Sequence, residues 1–204
     1  MKVQQSNPVD IKKKELRQQN DDSISSMSSK ELEIAFAESL LDQVDAAQLQ
    51  IKDIQRDIAL LQTLENALCL ISENMAKVRR LAEDIVRSHP SDREKNLASD
   101  TIRNLMMVNM LIAEDTEYDG NLLFKDGIIR IYSCQSGEVT LETEKIPEIS
   151  GVEDADFQAI LDSLVEASHA VNRQYKRINT IMLELLHSYQ QLRLELDILR
   201  KAYP

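Results

Sequence analysis

With 204 residues, 43% hydrophobic and 29% charged, the chain can bury a real core, which excludes a disordered polypeptide. Its longest apolar stretch, around Leu105 to Ala113, is interrupted by Asn109 and is far too short for a bilayer span. The net charge is −11, and residues 1–30 carry six Lys and Arg against four Asp and Glu, so the remainder stands at −13. A body of that sign repels nucleic acid and anionic lipid, and no basic stripe with interleaved aromatics offsets it.

Glycine and proline set the boundaries. All four glycines lie between Gly120 and Gly151, and the prolines are Pro8, Pro90, Pro147 and Pro204. Elsewhere the chain has no strong breaker, which predicts long uninterrupted segments. Residues 1–28 are rich in Gln, Asn, Ser, Asp and Lys with scattered single apolar residues. They cannot bury enough surface to offset the ordering entropy and read as a disordered polar tail. No charged start, apolar core and small-residue cleavage site marks a Sec-type signal there.

Ser28 or Ser29, with Glu31 and Glu33 behind it, starts a helix predicted over residues 30–88. Ile51, Ile54, Ile58, Leu61, Leu64, Leu68, Ile71, Met75, Val78, Leu81 and Ile85 recur every three or four residues, forming one apolar stripe. Pro90 ends the helix, because the residue before proline is pushed out of the helical region. Ser91 and Asp92 cap a second helix over 92–115, with Glu94 in its first turn. Its centre, Leu105 to Val108, is apolar on more than one face, as burial between helices or contact with a partner requires.

Over 121–145 the period changes to two. Ile128–Tyr132 and Glu138–Glu142 are β-rich with Gly137 between them, which predicts a β-hairpin packed on the helices. Glu153 and Asp154 open the last helix, predicted over 153–202. Val171, Tyr175, Ile178, Met182, Leu185, Tyr189, Leu192, Leu196 and Leu199 alternate four and three, the spacing of coiled-coil packing. The fold class that follows is mainly α: an elongated antiparallel helical bundle, or coiled-coil rod, with one small β-hairpin. The whole of 29–204 is one domain behind the tail.

This order of elements, with its local motifs, resembles the rod-like helical core of bacterial flagellin and is similar to hook–filament junction proteins. Leu64-Glu65-Asn66-Ala67-Leu68 followed by Ile71 resembles the family's T-E-x-A-L-x-x-I. Met75 to Ala82, including Val78, Arg79 and Leu81, resembles L-x-R-V-R-E-L-A. Thr116-Glu117-Tyr118-Asp119-Gly120-Asn121-Leu122-Leu123 resembles T-x-F-N-G-x-x-L-L and is the most specific match. The resemblance covers roughly residues 45–200. Arg80 stands where the family has Glu, and two cysteines appear in a family that seldom carries any. The family's terminal polymerisation arms are not expected here: residues 1–28 lack their amphipathic pattern, and the last helix runs to the final residues.

Little in the sequence carries chemistry. His89, His169 and His187 fall on three segments without metal-ligand spacing. Glu153, Asp154 and Asp156 form a carboxylate cluster without EF-hand spacing, and read as the start of a helix. Ser133-Cys134 has no base beside it, and there is no Gly-rich phosphate loop. Cys69 and Cys134 form no CxxC; buried free thiols are expected, with a single disulfide as the alternative. No enzyme, metal or cofactor is expected.

The resemblance implies a structural protein that packs side by side in a filament or appendage-type assembly, exported to the bacterial flagellum by a route independent of Sec. Its partners would be copies of itself, forming a homo-oligomer, flagellin-like subunits or a flagellar export chaperone. The alternative is a flagellin-derived helical adaptor that does not polymerise and stays in the cytoplasm. Candidate partner contacts are Phe36 and Leu40, within the run from Leu32 to Leu41, and Met106, Met107 and Met110 in the second helix.

Overall fold

The computed structural model describes residues 28–125, 127–133 and 137–202. Apart from Ser28, the tail expected over 1–28 lies outside the described residues, as does Cys134. The elements in chain order are α1 (Ser29–Arg87), α2 (Asp92–Asp115), β1 (Glu117–Tyr118), β2 (Asn121–Leu122), β3 (Ile128–Ser133), β4 (Gly137–Glu142) and α3 (Phe157–Ala202). The fold is a mainly α helical bundle carrying two small antiparallel hairpins, β1–β2 and β3–β4.

Each helix start follows from its cap. Ser28 and Ser91 build the same capping box: the backbone N–H and hydroxyl of each donate to the Glu three residues on, whose own N–H donates to the Ser Oγ. Two orphan donors are satisfied at each helix end. The same bonds hold the carboxyls of Glu31 and Glu94 below the ordinary carboxylate value.

The last helix begins at Phe157, not at Glu153, because the acidic cluster does something else. Asp156 Oδ1 accepts from the backbone N–H of Gln158 at 3.1 Å and of Ala159 at 3.0 Å. Asp156 is therefore the cap, and the chain before it is a tight turn closed by the Asp156 N–H on Gly151 O. Gly151 has φ +82°, and a Cβ there would come within 2.6 Å of Asp156 O and 2.9 Å of Ala159 Cβ. Only glycine fits this turn.

The chain divides into two compact units, each with its own buried residues. One is drawn from the chain up to Leu49 and from Leu194 onward, the other is Gln50–Arg193. In the smaller unit Leu40, Ala47 and Leu196 are buried. In the larger, α1 supplies Ile54, Leu61, Leu64, Leu68, Ile71 and Val78, all fully buried. Ile102 of α2, Ile131 of β3, and Ile160, Leu164, Ile178 and Leu185 of α3 complete the same core.

Side-chain pairs fix the helix directions within that unit. The four residues between α1 and α2 turn the chain back, and Asn74 of α1 meets Asn109 of α2. Gln55 of α1 reaches Tyr189 of α3, whereas Glu65 reaches Tyr175. As numbers rise on α1 they fall on α3, so these two helices are antiparallel.

The seam of α3 departs from its expected heptads. Val171, Ile178, Leu185 and Leu196 are buried as the spacing requires, but Gln174 and Ser188 are buried beside them and Tyr175 is exposed. The phenol has to keep its hydroxyl bonded, and it does so on the helix flank by donating to Glu65, which pushes the Tyr175 pKa up. Gln174 then fills the seam, with its Nε2 donating to Glu144 O at 2.7 Å.

Candidate functional site

The Thr116–Leu123 segment forms a hairpin of its own rather than a simple helix-to-strand step. Thr116 ends α2, with its N–H and hydroxyl donating to Ile112 O, and its own carbonyl accepts from the Leu123 N–H at 2.9 Å. Between the paired residues Tyr118 and Asn121 stand Asp119 at φ +53° and Gly120 at φ +76°. Two consecutive positive φ values are the signature of a type I′ turn, for which Asp-Gly is among the preferred pairs. Asp119 forms an ion pair with Arg56 of α1, which pins the turn to the bundle. Two-residue strands give no readable period, so the Asp-Gly pair was the only sequence signal for this hairpin.

The other family-like residues fall into two groups. Leu64, Ala67, Leu68 and Val78 are buried in the core, and Leu81 is half-buried against it. Glu65 is half-buried and accepts from Tyr175, while Arg79 is exposed. The matches along α1 therefore describe how the bundle packs, and only Arg79 faces outward.

The second hairpin is held to α3 through Glu144. Its carboxylate accepts from Arg173 at 2.8 Å and pairs with Arg177 at 3.1 Å. The bond from Arg173 outweighs desolvation and holds the Glu144 carboxyl below its ordinary value. Thr143 ties the base of the hairpin, its N–H donating to Gly127 O and its hydroxyl to Leu123 O.

The candidate partner contacts separate by environment. Leu40 is buried in the smaller unit and is not available to a partner: it faces inward at the spacing of Ala47, while Phe36 is 67% exposed. Met106 is half-buried against the core, whereas Met107 and Met110 are 52% and 53% exposed. Val108, part of the apolar helix centre already read as a possible partner contact, and Leu111, which sequence reasoning missed, are exposed as well. Spacings of three and four make Met107, Val108, Met110 and Leu111 neighbours on the helix surface. This is a contiguous apolar patch, flanked by Arg103 and followed by Glu114 and Asp115. The run from Leu105 to Leu111 hid Leu111, because its one polar residue, Asn109, is buried and so marks the wrong face for a reading by periodicity. On α3, Leu183 and Leu186 form a second exposed pair within the larger unit.

Cys69 is a free thiol and is exposed rather than buried. It lies one residue beyond Leu68 and two before Ile71, so the stripe that buries those two turns it outward. Among the described residues no three His, Cys, Asp or Glu side chains come together as a metal site. Nor is any described helix long and apolar enough to cross a membrane.

No protein-family model matches the chain, and no curated protein matches it in sequence. Among solved structures it is similar to the crystal structure of Bacillus cereus flagellin, with a TM-score of 0.63 and 17% identity. The match covers 69% of this chain and 88% of that one. At that identity the likeness is one of fold, so the chain has a flagellin-like fold.

Proposed function

We propose that the chain is a structural subunit that packs side by side, with copies of itself or with flagellin-like subunits, in a filament or appendage-type assembly. The observation that supports this most is the exposed patch of Met107, Val108, Met110 and Leu111, carried on a flagellin-like fold. Contiguous apolar surface on a soluble chain marks an interaction site more often than chance exposure does. Two methionines among the four suit a contact that must adapt to small changes of packing, since the thioether chain refits irregular surfaces. The charges around the patch set the register of such a contact rather than its strength. On this reading the chain leaves the cell by a route that needs no Sec signal and is held until then by a flagellar export chaperone.

The test is to separate sheared surface filaments from cytosol and probe both for the protein. Recovery with the filaments supports the reading. Recovery from the cytosol alone, with one sedimentation coefficient at every concentration, overturns it.

A second reading, an intracellular adaptor with the same fold that does not polymerise, is favoured by exposed Cys69. An accessible thiol is stable in a reducing cytoplasm and becomes oxidised outside it.

A further inference from the structure

The helix α2 carries two stripes, and the bundle uses one of them. Ala98, Ile102, Leu105, Asn109 and Ile112, spaced four and three, are buried or half-buried against the core. On the other side Arg93, Leu97, Asp100, Asn104, Met107, Leu111 and Glu114 keep the same spacing, and all seven are exposed. Leu97 is 69% exposed, Met107 52% and Leu111 45%. An apolar repeat kept at heptad spacing is the seam of a helix pair, whereas a face meant for water is polar throughout.

The two ends of this outer stripe differ in charge. Glu114 and Asp115 follow Leu111, Glu117 comes after them, and the last turn of α2 has no basic residue. None of these three carboxylates forms an ion pair with a described residue. Two of them therefore sit unrelieved at the negative end of the helix dipole, where acids are disfavoured. At the positive end Arg93 is equally misplaced. Its acidic neighbours are turned aside, Glu94 into the Ser91 cap and Asp92 by about 100° round the helix. Asp100, the one charge in the middle of the stripe, is held by Arg103 at 3.1 Å.

We infer that this stripe is covered by the same stripe of a second copy, the two α2 helices running antiparallel about a two-fold axis through Asn104. In that register Arg93 faces Asp115 with Glu114 beside it, Leu97 faces Leu111, and Asn104 faces its own copy, over about 30 Å of helix. Met107 faces Thr101, whose hydroxyl is already satisfied by Leu97 O at 2.8 Å. Both misplaced charges are relieved at once, and the two dipoles oppose each other. A parallel pair would instead set Glu114 and Asp115 against their own copies. Asparagine on the axis fixes the register at some cost in stability, as it does in coiled coils. The contact is isologous and closes at two copies, so any longer assembly needs a further face. This rests on reading the α2 patch as a self-contact and adds its direction and register.

The test uses the full chain with Cys69 and Cys134 changed to Ser. Sedimentation over a range of concentrations should show a monomer–dimer step. Under mild oxidation Asn104→Cys should cross-link to its own copy. Leu97→Cys and Leu111→Cys should cross-link to each other when mixed, and neither to itself. Arg93→Glu should raise the dimer dissociation constant roughly tenfold, because two-fold symmetry counts each ion pair twice. Adding Glu114→Arg and Asp115→Arg to that same chain should restore the dimer. Self-cross-linking of Leu97→Cys would overturn the inference in favour of a parallel pair. So would an Asn104→Cys chain that associates without cross-linking, and self-packing would then stand on another face. A parent that is monomeric at every concentration would also overturn it, while recovery with sheared filaments would still support the wider reading.

Discussion

Asn74 of α1 donates through Nδ2 to Oδ1 of Asn109 of α2 at 2.9 Å, and both side chains are buried. Lys77 closes the free side of Asn74 by donating to its Oδ1 at 3.3 Å. The Asn109 Nδ2 has no partner in this arrangement. Changing Asn74 alone to Ala strands the carbonyl of Asn109 too, at a cost of about 1–3 kcal/mol. Replacing both with Leu should be close to neutral, because no polar group is then left dry. Urea unfolding of the two variants checks this; equal destabilisation by both would show that packing, not the hydrogen bond, matters there.

Two glycines at positive φ should respond differently to alanine. Gly120 has open space around the added Cβ, so only the left-handed backbone penalises Gly120→Ala, by roughly 1–2 kcal/mol. Gly151→Ala meets Asp156 O and Ala159 Cβ as well, adding about 1–3 kcal/mol of overpacking. Thermal unfolding should therefore rank the Gly151 variant clearly below the Gly120 variant.

Glu144 gives the bundle an acid-sensitive joint. Arg173 lowers its carboxyl from the ordinary 4.5, so the folded protein binds this proton less readily than the unfolded chain. Its contribution is complete above pH 4.5 and is lost as pH falls through the lower folded value. Glu144→Gln should lower Tm at neutral pH and flatten the fall of Tm with acid below pH 4.5. A variant with the same acid profile as the parent would contradict this assignment.

The α2 patch can be tested without disturbing the core. Met107 and Leu111 are exposed one turn apart, so changing both to Glu should move stability by no more than about 0.5 kcal/mol per site. Any concentration-dependent sedimentation of the parent should disappear. If association persists unchanged, the contact lies on another face.

Leu64, Leu68, Ile71 and Val78 could be read as core from spacing alone, because one amphipathic helix of 59 residues repeats the same signal many times. Ser28, Ser91 and the Gly-bearing middle were legible through local chemistry. Tyr175 was not, since periodicity counts apolar mass and ignores the hydroxyl that must find Glu65. Asn74 with Asn109, and Arg56 with Asp119, are pairs far apart in sequence that only the antiparallel return of the chain brings together. The α2 patch was largely legible: Met107, Val108 and Met110 stood out in the apolar centre of the helix, while Leu111 did not.

The turn at Asp119 and Gly120 also bears on how the protein ages. Among aspartate-containing pairs, aspartate followed by glycine cyclises most readily, its side-chain carbon attacked by the next amide nitrogen to give a succinimide and then isoaspartate. The carboxylate that would have to swing onto the Gly120 nitrogen is the one gripped by Arg56. The ion pair that positions the hairpin thus also shields this bond, and loss of Arg56 would show as faster isoaspartate formation at Asp119 during storage, with the rate at the chain's other Asp-Gly pair, Asp126-Gly127, unchanged.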